Sequence, residues 1–90
     1  MSRIIIDTRE QFEYQAGHVE GAINIPPATF MTGIIPKELE GVSLDTEIIL
    51  YCRSGSRSNV VGHILRSFGF THIVNGVNQG HVEKLIGQKP

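Results

Sequence analysis

The apolar positions of this chain fall into two kinds of run, and their order predicts an α/β fold. Ile4-Ile5-Ile6 and the stretch "EIILY" from Glu47 to Tyr51 are short, continuous and rich in β-branched residues, the pattern of a strand covered on both faces. Val60, Val61, Ile64, Leu65 and Phe68 instead recur at helical spacing, and Gly69 stands where such a helix ends. Arg9 to Ala16 reads as a short helix with Thr8 or Asp7 as N-cap, Phe12 and Ala16 four apart, and Gly17 as terminator. A turn over Gly17 to Gly21 then leads to a short strand at Ala22 to Ile25, which Pro26-Pro27 stop. Residues 28–45 carry the weakest pattern. Phe30 with Ile34, and Ile35 with Leu39, allow short helical turns divided near Pro36, and Gly41 to Thr46 is a loop. Thr71 to Asn75 reads as one more strand, and Val82, Leu85 and Ile86 form the face of a last helix that starts near Asn78. Strands alternating with helices predict a small, mostly parallel sheet flanked by helices. Ligands of such sheets gather at the carboxyl ends of the strands, where helix N-termini also point. Asp7 and Cys52 both stand at such ends.

Ninety residues make room for a single domain, residues 1–90, with one modest core. Hydrophobic residues at 40% and charged ones at 19% are ordinary for a globular chain and too apolar for a disordered one. The opening apolar run is only three isoleucines long, too short for a signal segment or a membrane span, so a cytoplasmic protein with no membrane association is expected. The formal net charge of −1 is unevenly divided: residues 1–51 hold three bases and eight acids, residues 52–90 five bases and one acid, Glu83. Those five bases are scattered and form no polybasic stretch. Nucleic-acid binding is therefore not expected, and a local pocket for a small anion fits better.

The basic half begins at the only cysteine, Cys52. One cysteine makes no internal disulfide and too few ligands for a Cys₄ or Cys₂His₂ zinc site. His18, His63, His72 and His81 include no pair at metal-ligand spacing, so neither a metal nor an organic cofactor is expected. A lone cysteine at the end of a buried strand is most often a small core residue. Here it opens "CRSGSR", Cys52-Arg53-Ser54-Gly55-Ser56-Arg57, which runs from a strand end to a helix start in six residues. Such a turn curls several N–H groups inward around an anion, with Gly55 free to take a positive φ, and the helix N-terminus, Arg53 and Arg57 add positive charge. A thiol in that field ionises readily, because the thiolate is the form its surroundings stabilise. Cys52 is thus expected to be a nucleophile whose attack product the same N–H groups stabilise.

Three stretches, in order, resemble the rhodanese family. "IIIDTREQFEYQAGHVEGAINIP" is similar to its opening, in which a strand ends in Asp-x-Arg and a Gly-His-x-x-Gly-Ala turn leads to the next strand; "YCRSGSRS" resembles its active-site loop, and "LRSFGFTHIVN" the helix and strand that follow. The resemblance covers roughly residues 4–75. It implies a rhodanese-like single domain and a sulfurtransferase: Cys52 takes a sulfane sulfur from thiosulfate or another donor, holds it as a persulfide, and passes it to cyanide or a thiol. The partners implied are a small-molecule sulfur donor and a protein sulfur donor or acceptor. Arg53, Ser54, Gly55, Ser56 and Arg57 match the loop that cradles the persulfide. Asp7 and Arg9 match the Asp-x-Arg pair, expected to brace the loop and its neighbouring turns, and His18 matches the histidine of the turn. The chain departs from the family at two points. Only Met1-Ser2-Arg3 precede the first strand, where members commonly have a further strand and helix, and "NGVNQGHVEKL" retains Gly80 but lacks the family's Gly-Gly turn and tryptophan.

Three rivals share parts of this pattern. Cysteine phosphatases of the cell-cycle type have five residues between cysteine and arginine; this chain has four, with Ser58 where their arginine would fall. An arsenate reductase of similar fold would need an external thiol, there being no second cysteine to resolve the intermediate. The third, a catalytically weak rhodanese-like module, takes two forms: one that only binds a partner protein usually lacks the cysteine or the loop charge, both of which are present here, while one that relays sulfur from a protein donor, and is slow with thiosulfate, retains them.

Overall fold

The triple isoleucine and the second apolar run lie side by side. In the computed structural model, which describes residues 3–87, Ile4, Ile5 and Ile6 pair with Ile48, Ile49 and Leu50 in a parallel ladder. These runs are β1 (Arg3–Asp7) and β3 (Glu47–Cys52), and β2 (Ile23–Asn24) and β4 (Ile73–Asn78) flank them. The order is β2-β1-β3-β4 and every pairing is parallel.

Period-two alternation sends the central side chains to two cores. Ile6, Ile48 and Leu50 join Phe30, Leu39, Val61, Leu65 and Phe70 on one face, beneath α2 (Pro27–Phe30) and α3 (Ser56–Ser67). Ile49 and Tyr51 join Val19, Ala22 and Val82 on the other, against α4 (Gln79–Leu85). Burying an aliphatic or aromatic side chain contributes about 1.5–3 kcal/mol. The two strands that are apolar on both faces therefore take the middle of the sheet.

The remaining helix, α1 (Gln11–Ala16), begins later than its sequence predicts. Neither expected cap is free. The Asp7 carboxylate accepts from the Arg9 backbone and side chain, and the Thr8 hydroxyl donates to the Tyr51 carbonyl. Glu10 takes the N-cap position instead, and its N–H donates to the Glu13 carboxylate at 2.9 Å. The expected apolar face of this helix does not form: α1 buries no residue, and Phe12 is 72% exposed. Val60, Leu85 and Ile34 are likewise exposed, although their neighbours Val61, Val82 and Ile35 pack inward. Pro27, read as part of a stop, opens α2, because a proline in the first turn lacks only an N–H that has no helical partner there.

β4 continues three residues beyond Asn75. Leu50 pairs with Asn75 but Tyr51 with Val77, so Gly76 is an extra residue, a bulge. Val77 takes a left-handed φ of 72°, rare for a β-branched residue, and Asn78 pairs with Cys52 before capping α4 by accepting from the His81 N–H at 2.8 Å. No helix among the described residues is long and apolar enough to cross a membrane.

The bulge yields a direct test of packing. A Cβ on Gly76 would lie 2.3 Å from Val82 Cγ2 and 3.1 Å from both Ile49 Cγ2 and the Leu50 carbonyl oxygen. Gly76→Ala is expected to cost about 1–3 kcal/mol through overpacking, read as a lower urea midpoint at unchanged m. An unchanged midpoint would mean that α4 does not sit this close to the sheet.

Candidate active site

β3 ends by delivering Cys52, 1% exposed, directly beneath the turn that starts α3. Gly55 is the N-cap of α3 at φ 93°, the left-handed region, and that conformation turns its N–H onto the Cys52 Sγ at 3.1 Å. A side chain there would meet Val77 and Asn75 at ordinary contact distance, so the need for glycine comes from the backbone angle. Burial is the largest influence on the thiol and pushes it upward. The N–H groups of Ser58 and Ser54, the Ser58 hydroxyl and the Gly55 N–H together outweigh it and hold Cys52 lowered to about 7. The expected thiolate-stabilising nest is therefore built of hydrogen-bond donors.

Two residues outside the six-residue loop complete it. The Ser58 hydroxyl lies 3.7 Å from Sγ, 2.7 Å from Asn75 Oδ1 and 3.1 Å from the Gly55 carbonyl oxygen, and its single proton serves one of them at a time, turning to the sulfur when the thiolate forms. Asn75 also donates from Nδ2 to that carbonyl at 3.1 Å and accepts from the Val77 N–H at 3.0 Å. Strand β4 thus holds the loop by one amide side chain. Sequence reasoning placed Asn75 only as a strand residue and Ser58 only by its offset from the cysteine; a serine in a helix's first turn, six residues after the thiol, was the available signal.

Asp7 and Arg9 come together at the end of β1. The Asp7 side chain is fully buried, and its Oδ1 accepts from the Arg9 N–H at 2.9 Å while Oδ2 accepts from Arg9 Nη2 at 2.6 Å. Nη2 also donates to the Gly17 carbonyl at 2.6 Å, closing the chain around α1, and Asn24 donates to the Asp7 and Arg9 carbonyls at 3.0 and 2.9 Å. Thr8 donates from its N–H and its hydroxyl to the Tyr51 carbonyl, at 2.9 and 3.0 Å, which ties this end of β1 to the residue before Cys52. The Arg9 guanidinium lies 5.5 Å from the centroid of the buried Tyr51 ring, whose hydroxyl accepts from the Val19 N–H at 3.0 Å.

The loop arginines do not face the sulfur alone. Arg57 donates to both oxygens of Glu13, at 2.9 and 3.3 Å, and Arg53, 76% exposed, reaches within 4.0 Å of the same carboxylate. The Arg57 cation is favoured first by Glu13 and further by Cys52. Glu13, forty-four residues away in sequence, was not predicted, since no local spacing signals such a contact. Ser54 and Ser56 bridge through their hydroxyls at 3.2 Å on the exposed side of the turn. His18 is exposed and stacks on Tyr14 of α1, centroids 3.7 Å apart, with Nδ1 2.8 Å from the Tyr14 carbonyl oxygen. Among the described residues no three of His, Cys, Asp and Glu gather to hold a metal ion.

Comparison with known proteins places this geometry. The rhodanese-like domain family matches residues 1–83. A tRNA uridine(34) hydroxylase of Cronobacter sakazakii is 35% identical over 79 residues, covering 82% of this chain and 22% of that protein, and one of Escherichia coli O1:K1 / APEC gives the same figures. The chain thus spans about a fifth of the length of these curated relatives, 22%. A solved rhodanese from E. coli, determined with anions, is 30% identical with a TM-score of 0.75, covering 89% of this chain and 91% of its own. A human single-domain sulfurtransferase shares the fold at 23% identity, with a TM-score of 0.70 over 98% of this chain and 84% of its own.

Two measurements test the site as built. The rate of Cys52 alkylation should rise with pH around a midpoint near 7, as the thiolate forms, and Ser58→Ala should move that midpoint upward by removing a donor. A wild-type midpoint of about 8.5 or higher would show that the loop donors leave the thiol at its ordinary value. Asp7→Ala strands a mostly buried guanidinium and should lower unfolding stability by about 3–5 kcal/mol in urea titration; a loss below about 1 kcal/mol would show that water already solvates the pair.

Proposed function

The chain belongs to the rhodanese-like domain family, and on that footing we propose that it is a sulfurtransferase that moves a sulfane sulfur from thiosulfate or another donor to cyanide or a thiol through a persulfide on Cys52. The observation that carries this reading is the Gly55 N–H aimed at Sγ at 3.1 Å, and the N–H groups of Ser54 and Ser58 favour the same thiolate. Donors arranged in this way favour a terminal sulfur anion as well as a thiolate.

The reaction is a double displacement. The Cys52 thiolate attacks the outer sulfur of thiosulfate; the S–S bond of the donor breaks, sulfite leaves with the bonding pair, and Cys52–S–S⁻ remains. Cyanide or an acceptor thiolate then takes the outer sulfur and returns the Cys52 thiolate. Burial of Cys52 under the loop restricts what reaches it to slender groups, which suits transfer of one atom. The four-residue spacing between Cys52 and Arg57 supports the same choice over a phosphatase, whose loop must surround a tetrahedral phosphate. The acceptor returns the Cys52 thiolate in each cycle, and a free thiol is best kept from oxidation in a reducing compartment, so we read the reaction as cytosolic.

Intact-mass spectrometry under non-reducing conditions tests the proposal. After exposure to excess thiosulfate the wild type should gain one sulfur, about 32 Da, reversed by cyanide, and Cys52→Ser should gain nothing. Arg57→Ala should slow loading by thiosulfate. No gain on a wild-type thiol that still alkylates would overturn thiosulfate as a donor, and equal gain on Cys52→Ser would overturn the mechanism.

A further inference from the structure

The loop presents less positive charge than its sequence suggests, because Glu13 pairs with its arginines. The Glu13 side chain is 11% exposed, against 32% for Arg57 and 76% for Arg53. Both oxygens accept from Arg57, Arg53 is at 4.0 Å, and Oε1 accepts from the Glu10 N–H at 2.9 Å. Hydrogen bonds from Arg57 hold Glu13 at about 2, so it is ionised at any working pH. Two guanidiniums and one carboxylate leave the loop a single positive charge, which the Cys52 thiolate cancels. Arg57 has both terminal nitrogens committed to Glu13.

We propose that Glu13 is a specificity-determining residue, which cancels much of the loop's charge and turns the site from dianionic donors such as thiosulfate toward a persulfide carried on a thiol. The inference rests on the reading of Cys52 as a persulfide carrier and names its donor class. A dianion entering here meets a neutral loop and a repelling carboxylate; a persulfide brings one negative charge or none. In the favoured step the Cys52 thiolate attacks the outer sulfur of R–S–SH. The donor S–S bond breaks, Cys52–S–SH forms and R–S⁻ leaves with the bonding pair, with no outside oxidant or reductant. The donor's mercapto group stands equally for a small thiol and for a cysteine on a carrier protein.

The test compares wild type, Glu13→Gln and Arg57→Gln. Second-order rates of Cys52 persulfidation by thiosulfate and by cysteine persulfide are followed by rapid alkylation quench and intact mass, at low and high ionic strength. Glu13→Gln should speed thiosulfate loading on the order of tenfold and change cysteine-persulfide loading by less than about threefold, with high salt compressing the difference. Arg57→Gln should move the ratio of the two rates the opposite way. Both variants lose the same ion pair, so damage to the fold alone would shift the ratio in one direction. A ratio that is unchanged, or that moves the same way in both variants, would overturn the assignment. If Glu13→Gln does not fold, Arg57→Gln decides by the sign of its shift. Absence of a persulfide in all three proteins with either donor would remove the sulfur-transfer reading itself, a result distinct from an unaltered ratio.

Discussion

A carboxylate with no solvent contact must be neutralised where it stands, and Asp7 is that carboxylate. Its partner lies only two residues along the chain, so the backbone must turn sharply at the end of β1 to bring the Arg9 guanidinium back over it. The same guanidinium reaches the Gly17 carbonyl, and the loop containing α1 is closed by that bond. This explains how a six-residue helix that buries no side chain keeps a fixed position. It also explains how Glu13 comes to meet the arginines of a loop that begins thirty-nine residues later.

Around Cys52 two kinds of positive charge divide the work. Donors that touch the sulfur directly, the N–H groups and the Ser58 hydroxyl, are short-range and shielded from solvent with it. The guanidiniums are longer-range, more exposed and shared with Glu13. The first set fixes the ionisation of the nucleophile; the second governs what approaches it. Because different residues carry these two properties, the reactivity of the thiol and the charge of the entrance are independent to a first approximation.

The sequence made legible whatever rested on a local or periodic pattern. β1, β3 and α3 follow from runs of Ile, Val and Leu, and the turn between Cys52 and Arg57 from a glycine at a position that requires a left-handed backbone. What escaped depends on competition between distant groups. Thr8 is a sound cap in isolation, but the Tyr51 carbonyl, forty-three residues away, takes its hydroxyl. Phe12 and Val60 fit helical faces yet stay exposed. The ties from Asn75 and Glu13 to the loop have no period at all, and the sequence pattern of β4 stops at Asn75 because a bulge breaks the alternation by which strands are read.

That bulge gives the segment an unusual kind of rigidity, one of length. Residues 75–78 set Asn75 opposite Leu50 and Asn78 opposite Cys52, three steps of β4 against two of β3, and the extra residue, Gly76, lets Asn75 hold Ser58 while Asn78 opens α4. Loss of a single residue here would close the bulge and with it the left-handed turn at Val77, whose N–H donates to Asn75 Oδ1, and so loosen the amide that ties β4 to the active loop. A chain of this fold can vary side chains at Val77 more readily than it can change the number of residues between the two asparagines, so insertions and deletions are barred from a stretch that looks, by its composition, like an ordinary surface turn.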